Sequence, residues 1–139
     1  MKNFNFQAST NVFFGKDSIQ HLPNQVKQFG NKVLVAYGGG SIKKTGLYDT
    51  VMELLKDYEG AIYAIDARKV SEEALGKYFP NTPMLAAIVK VSGIMSDEAL
   101  LEDMKNSFKH KFAKKPEVIE GNMKALELAL KEVRKIWQK

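Results

Sequence analysis

Two short apolar runs, Val33-Leu34-Val35-Ala36-Tyr37 and Ala61-Ile62-Tyr63-Ala64-Ile65, flank a stretch of helical periodicity, and this pattern constrains the fold more than any other. A strand without a polar face is covered on both sides, as parallel sheets require. Between the runs, Leu47, Val51, Leu54 and Leu55 fall on one side of a helix. Strand, helix, strand spells a βαβ unit with a right-handed crossover. Gly38-Gly39-Gly40 closes the first run, the turn Asp57 to Gly60 leads into the second, and Asp66 closes it. The expected fold class is α/β: a three-layer, Rossmann-like or flavodoxin-like domain with a small, mainly parallel sheet and a helix-rich C-terminal half.

The flanking sequence predicts the remaining elements. Phe4, Phe6 and Val12-Phe13-Phe14 read as β-prone pieces around the turn-rich Ala8-Ser9-Thr10-Asn11. Asp17 with Gln20 resembles a capping box, and Ile19, Leu22, Val26 and Phe29 then form a helical stripe with Pro23 in its first turn. After Asp66 no further strand is expected. A short helix runs from Ala67 to Leu75 and is stopped by Gly76. Thr82-Pro83 combines an N-cap with a proline suited to the first helical position, ahead of a helix burying Met84, Leu85, Ile88, Val89 and Val91. Ser96-Asp97-Glu98 opens the next, with Leu100, Leu101, Met104 and Phe108 on its inner face. The last starts at Pro116, its stripe running through Ile119, Met123, Leu126, Leu130, Val133 and Trp137. Gly121 within it costs about 1 kcal/mol relative to alanine.

The 139 residues fit one domain, 1–139, large enough for its own core. Absence of cysteine excludes disulfides, thiolate metal sites and cysteine nucleophiles. No apolar run suits a signal peptide or a membrane span, so a cytoplasmic protein without a membrane partner is expected. Part of the net charge of +5 is concentrated in Lys105, Lys109, Lys111, Lys114 and Lys115, around His110. Cations favour helix C-termini, and no stacking platform accompanies them, so a solvated helix end is expected and a nucleic-acid partner is not. His21 and His110 stand apart in sequence, outside any metal-ligand spacing, and no metal site is expected.

Gly38-Gly39-Gly40-Ser41 follows a strand and precedes a helix, the context of a phosphate-binding turn, with Lys43 and Lys44 adding charge. On the residues alone a tight turn is favoured, because the spacing is neither G-x-G-x-x-G nor a Walker loop. Asp66 suits both a ligand contact at a strand end and a helix cap, with the cap preferred. Asn81 reads as holding the turn before Thr82.

Two resemblances add to this reading. The stretch from NFNF through FFGK to YGGGSIKK, up to about Asp57, resembles the amino terminus of iron-containing alcohol dehydrogenases of the butanol dehydrogenase branch. That resemblance implies that Gly38, Gly39, Gly40 and Ser41, assisted by Lys43, contact the adenosine end of NAD(P); the pyrophosphate loop and the metal ligands of that family have no counterpart. From about Ala61, Asp66-Ala67-Arg68, Pro80-Asn81-Thr82-Pro83-Met84-Leu85 and Glu120-Gly121-Asn122-Met123 resemble the late part of the gamma domain of 2-oxoacid:ferredoxin oxidoreductases, the pyruvate synthase group. Together they imply a chimera joined near residues 57–61, an engineered or recombined scaffold with no catalytic residues and no required cofactor. Weak NAD(P) binding at the glycine loop and assembly as a homo-oligomer are compatible with it. The alternative implications are a remnant nucleotide-binding oxidoreductase fragment or a gamma-subunit-like component.

Overall fold

The computed structural model describes residues 9–138. A turn of 3-10 helix, Ser18–His21, runs into the short helix α1 (Leu22–Val26), followed by β1 (Lys32–Tyr37). The four-residue α2 (Ser41–Lys44) and α3 (Leu47–Leu55) make the crossover to β2 (Ala61–Asp66). Then come α4 (Ala67–Leu75), α5 (Asn81–Ser92), α6 (Asp97–Lys111), α7 (Pro116–Glu132) and β3 (Arg134–Gln138). The sheet order is β1-β2-β3, with β1 parallel to β2 and β3 antiparallel to it. The α/β class and the βαβ unit are therefore as the sequence implies, but the sheet is mixed.

Strand β2 is the centre of the molecule. Val33 lies opposite Ile62 and Leu34 opposite Tyr63, so alternate residues of the pair face opposite sides. Ile62 faces one cluster with Leu55 and Tyr58, to which α1 and α3 contribute Leu22, Val26, Val51 and Met52. Ile65 faces the other, built from Val70, Ala86, Val89, Leu100, Phe108 and Leu126 of α4 to α7. Helices thus cover both faces, giving three layers. Burying each such aliphatic side chain stabilises the fold by about 1.5–3 kcal/mol.

Helix α7 binds the C-terminal half. Ala125, Leu126 and Ala129 are fully buried along it, small enough for close approach of its neighbours. A Cβ on Gly121 would lie 3.1 Å from Leu75 Cδ2, so this glycine trades helix propensity for contact with α4. Thr82 Oγ1 donates to Asn122 Oδ1 at 2.7 Å, and Asn122 Nδ2 donates to the Val118 carbonyl at 2.8 Å, tying α5 to α7. Ser71, fully buried, donates to the Lys77 carbonyl at 2.7 Å and accepts from Phe79 N–H, folding back the chain after α4. Among the described residues no helix is long and apolar enough to cross a membrane.

Several expectations are corrected. The last helix stops at Glu132 and Val133 turns into extended backbone, so Trp137 belongs to β3, opposite Ile62, rather than to a helical stripe. The outer backbone of β2 needs hydrogen-bond partners, and Val133, Ile136 and Trp137 suit a strand as well as a helix. Residues 12–14 form no strand, and Phe14 is 97% exposed; Phe4 and Phe6 lie outside the described residues. Asp17 caps nothing with its side chain and sits at φ 62°. Pro23 does fall in the first turn of α1, where its missing N–H costs little, but the helix ends at Val26 and Phe29 is left 85% exposed beyond it. Among the described residues the first strand is an edge, half-buried rather than covered on both faces. Helix α5 begins at Asn81, so Thr82 bonds Asn122 instead of capping, and Pro83 still falls in the first turn. Its buried face is Ala86, Ala87, Val89 and Val91, whereas Ile88 is 51% exposed.

The starts of β1 and β2 are clamped by the turn between α3 and β2. Tyr58 Oη donates to the Gly30 carbonyl at 2.6 Å, and Ala61 N–H donates to the Asn31 carbonyl at 2.9 Å. A Cβ on Gly60 would overlap both the Asn31 carbonyl and the Tyr58 ring. Gly60→Ala should therefore cost about 2–3 kcal/mol in urea unfolding, and Tyr58→Phe about 1 kcal/mol. A neutral Gly60→Ala would contradict this packing.

Candidate functional site

The carboxyl ends of β1 and β2 lie side by side, with Tyr37 opposite Asp66. In open α/β sheets this edge is where ligands bind. Asp66 is the N-cap of α4: its Oδ1 accepts from Lys69 N–H at 2.9 Å, as the cap reading predicts. Beyond Tyr37 the chain turns through Gly38, Gly39 and Gly40 into α2, whose first residue is Ser41.

The structure supplies a local reason for the glycines. A Cβ on Gly38 would lie 3.2 Å from Arg68 Cβ, and one on Gly39 3.3 Å from Arg68 Cδ. Gly39 is also left-handed, at φ 75°. The turn is thus pressed against α4, where Arg68 bonds Glu72 at 2.8 Å and stacks over the Tyr78 ring at 5.4 Å. The hydrogen bond and charge of Glu72 hold the Arg68 guanidinium above its ordinary pKa. Gly40 has open space where a Cβ would stand. Of the nucleotide-binding candidates, Gly38 and Gly39 pack on Arg68, Gly40 caps α2 and Ser41 begins it. With only four residues, α2 has little dipole to offer an anion.

Lys43 points elsewhere. Its Nζ lies 5.2 Å from the Tyr37 ring centroid and 5.6 Å from that of Tyr48, whose rings meet edge to face at 5.2 Å. These three residues form one wall of a cleft of about 310 Å³ that Gly38 to Ser41 do not line. Ala64 and Ile65 of β2 and Ile136 of β3 also line it. The remaining lining residues are charged: Asp66, Lys69, Glu132 and Arg134. Glu132 Oε2 lies 3.8 Å from Lys69 Nζ and 3.6 Å from Arg134 Nη2, beyond hydrogen-bond range. Of this set the sequence identified Asp66, as a strand-end acid, and Lys43; Tyr48, Lys69 and Arg134 meet only through the tertiary fold.

The other candidates stay apart. His21 stacks on Phe13 at 4.6 Å, and His110 lies in the last turn of α6. Among the described residues no group of three or more His, Asp or Glu is arranged to hold a metal. Lys109 and Lys111 occupy that last turn too, where the helix dipole favours cations, and Lys115 precedes α7. Asn81 is the first residue of α5.

Comparison with known proteins finds two similarities. Residues 24–132 match the sequence profile of the family described as pyruvate ferredoxin/flavodoxin oxidoreductase. Pyruvate synthase subunit PorC of Thermotoga maritima is 36% identical over 77 residues, 55% of this chain and 39% of that protein. The crystal structure of pyruvate oxidoreductase subunit PORC from the same organism superimposes with a TM-score of 0.51 at 30% identity, over 65% of this chain and 47% of that one. The N-terminal region is similar to butanol dehydrogenases. Probable NADH-dependent butanol dehydrogenase 2 of Bacillus subtilis is 47% identical over 94 residues, 68% of this chain and 21% of that protein. The chain spans about half or less of the length of these relatives. The profile match runs through residues 57–61, and a second similarity of 94 residues in a chain of 139 must overlap it.

The glycine turn makes a prediction that separates its members. Gly39→Ala forces a side chain into a left-handed backbone against Arg68 and should lower stability by about 1–2 kcal/mol in urea unfolding. Gly40→Ala should stay within about 0.5 kcal/mol of the parent. Equal effects at the two positions would contradict the packing described.

Proposed function

Because the chain belongs to the pyruvate ferredoxin/flavodoxin oxidoreductase family, we propose that it is a gamma-subunit-like component of a 2-oxoacid:ferredoxin oxidoreductase. In this reading it docks onto other subunits and carries no reaction centre of its own. The observation that carries it is the profile match, which extends through all four helices from α4 to α7, joined to the likeness to the PORC structure. The residues fit such a role: α5 keeps Leu85 and Ile88 outside the core, on a helix whose other face is fully packed. An iron–sulfur cluster would have to sit on another subunit, since the chain has no cysteine. The alternative of a recombined scaffold without catalysis draws its support from the butanol dehydrogenase similarity at the N-terminal region, and nothing in the comparisons favours an engineered origin.

A second reading has an observation of its own. Similarity to NADH-dependent butanol dehydrogenases favours weak NAD(P) binding at Gly38, Gly39, Gly40 and Ser41, without Lys43, whose ammonium turns to Tyr37 and Tyr48. The residues fit only an adenosine-end contact, because Arg68 already occupies one side of the turn. Binding should then be millimolar, about −4 kcal/mol.

The docking role is tested with pyruvate synthase of Thermotoga maritima reconstituted without PorC. The purified chain should bind that assembly with a Kd of about 1–10 μM and be displaced by PorC. Alone it should reduce no ferredoxin with pyruvate. Absence of association at about 100 μM chain would remove the proposal.

A further inference from the structure

The cleft at the carboxyl ends of β1 and β2 has a composition that selects its ligand. Three cations, Lys43, Lys69 and Arg134, face two carboxylates, Asp66 and Glu132, leaving one positive charge in excess. Asp66 is engaged in capping α4, and Glu132 is shared between Lys69 and Arg134 at distances too long for hydrogen bonds. Both cations therefore keep donors to offer, and a second carboxylate can enter between them. Tyr37 and Tyr48 present aromatic surface in the same cleft, with Lys43 Nζ 5.2 and 5.6 Å from their ring centroids, and Ile65 and Ile136 add apolar lining. A volume of about 310 Å³ admits one or two fused rings.

We infer that this cleft binds a small aromatic monocarboxylate, its ring against Tyr37 and Tyr48 and its carboxylate between Lys69 and Arg134. Charge sets the class. A monoanion neutralises the excess, whereas a dianion such as hydrogen phosphate overshoots it and is repelled more strongly by Glu132. Aromatic surface sets the body, because a planar ring exploits the faces and edges of two tyrosines better than an aliphatic one of equal size. The cleft is lined by residues of this chain alone.

The test is an NMR amide titration of the full chain with 2-naphthoate, run beside 2-naphthamide, cyclohexanecarboxylate and inorganic phosphate. With 2-naphthoate, shifts should cluster at Tyr37, Tyr48, Asp66, Lys69 and Arg134, and each of the other three should bind at least about tenfold more weakly. Arg134→Gln, on a solvent-exposed side chain, should weaken 2-naphthoate about tenfold while leaving the dispersed spectrum intact. Lys69→Gln should do the same, which guards against a folding defect in one variant. Equal binding of the amide or of phosphate, shifts centred elsewhere, or unchanged affinity in both folded variants would overturn the assignment.

Discussion

Strand β2 holds the structure together because it alone among the described strands is paired on both edges and covered on both faces. Its parallel partner β1 and antiparallel partner β3 satisfy its backbone, while Ile62 and Ile65 anchor opposite clusters. Neither cluster could be dry without the sheet between them. The position of the cleft follows as well: Tyr37, Asp66 and Arg134 are brought together only because β1 and β3 flank β2 at that end. The clamp of Tyr58 and Ala61 on Gly30 and Asn31 fixes the other end and with it the register.

Around this strand the two halves are built differently. On the α1 and α3 side the helices are short, α1 having five residues after its 3-10 turn, and the cluster is correspondingly small. On the other side α7, of seventeen residues, packs against α4, α5 and α6 through alanines, Gly121 and the Thr82–Asn122 bond. The family profile spans this larger unit and the βαβ unit together. Similarity to two families across one chain is physically workable where both supply the same strand–helix–strand element, since sheet spacing and strand register impose the same demands on either sequence.

Much of this was legible in the sequence where local chemistry decides. The apolar runs, the Asp66 cap, the opening of α6 at Ser96-Asp97-Glu98, Gly76 at the end of α4 and Pro116 at the start of α7 all act within one turn of the chain. Strand β3 was not, because Val133, Ile136 and Trp137 satisfy a helical stripe and a strand equally, and the deciding partner, Ile62, lies far earlier in the chain. Exposure of Ile88 and burial of Ala86 likewise depend on which face α7 meets. In the cleft, Lys43 could be suspected from the glycine turn, but Lys69, Glu132 and Arg134 carry no pattern until α4, α7 and β3 converge. The glycines were readable as a turn, whereas Arg68, which presses against Gly38 and Gly39, was not.

Trp137 is where the central claim is most exposed, since its indole packs beside Ile62 with Nε1 buried and unpartnered among the described residues. If β2 is the strand on which all else depends, its amides open only when the whole domain unfolds. Native-state hydrogen exchange read by NMR measures this residue by residue. The account predicts that amides from Ile62 to Ile65 exchange with the free energy of global unfolding, while those of the 3-10 turn and α1 exchange through cheaper local opening. Exchange of β2 amides as fast as those of α1 would contradict it.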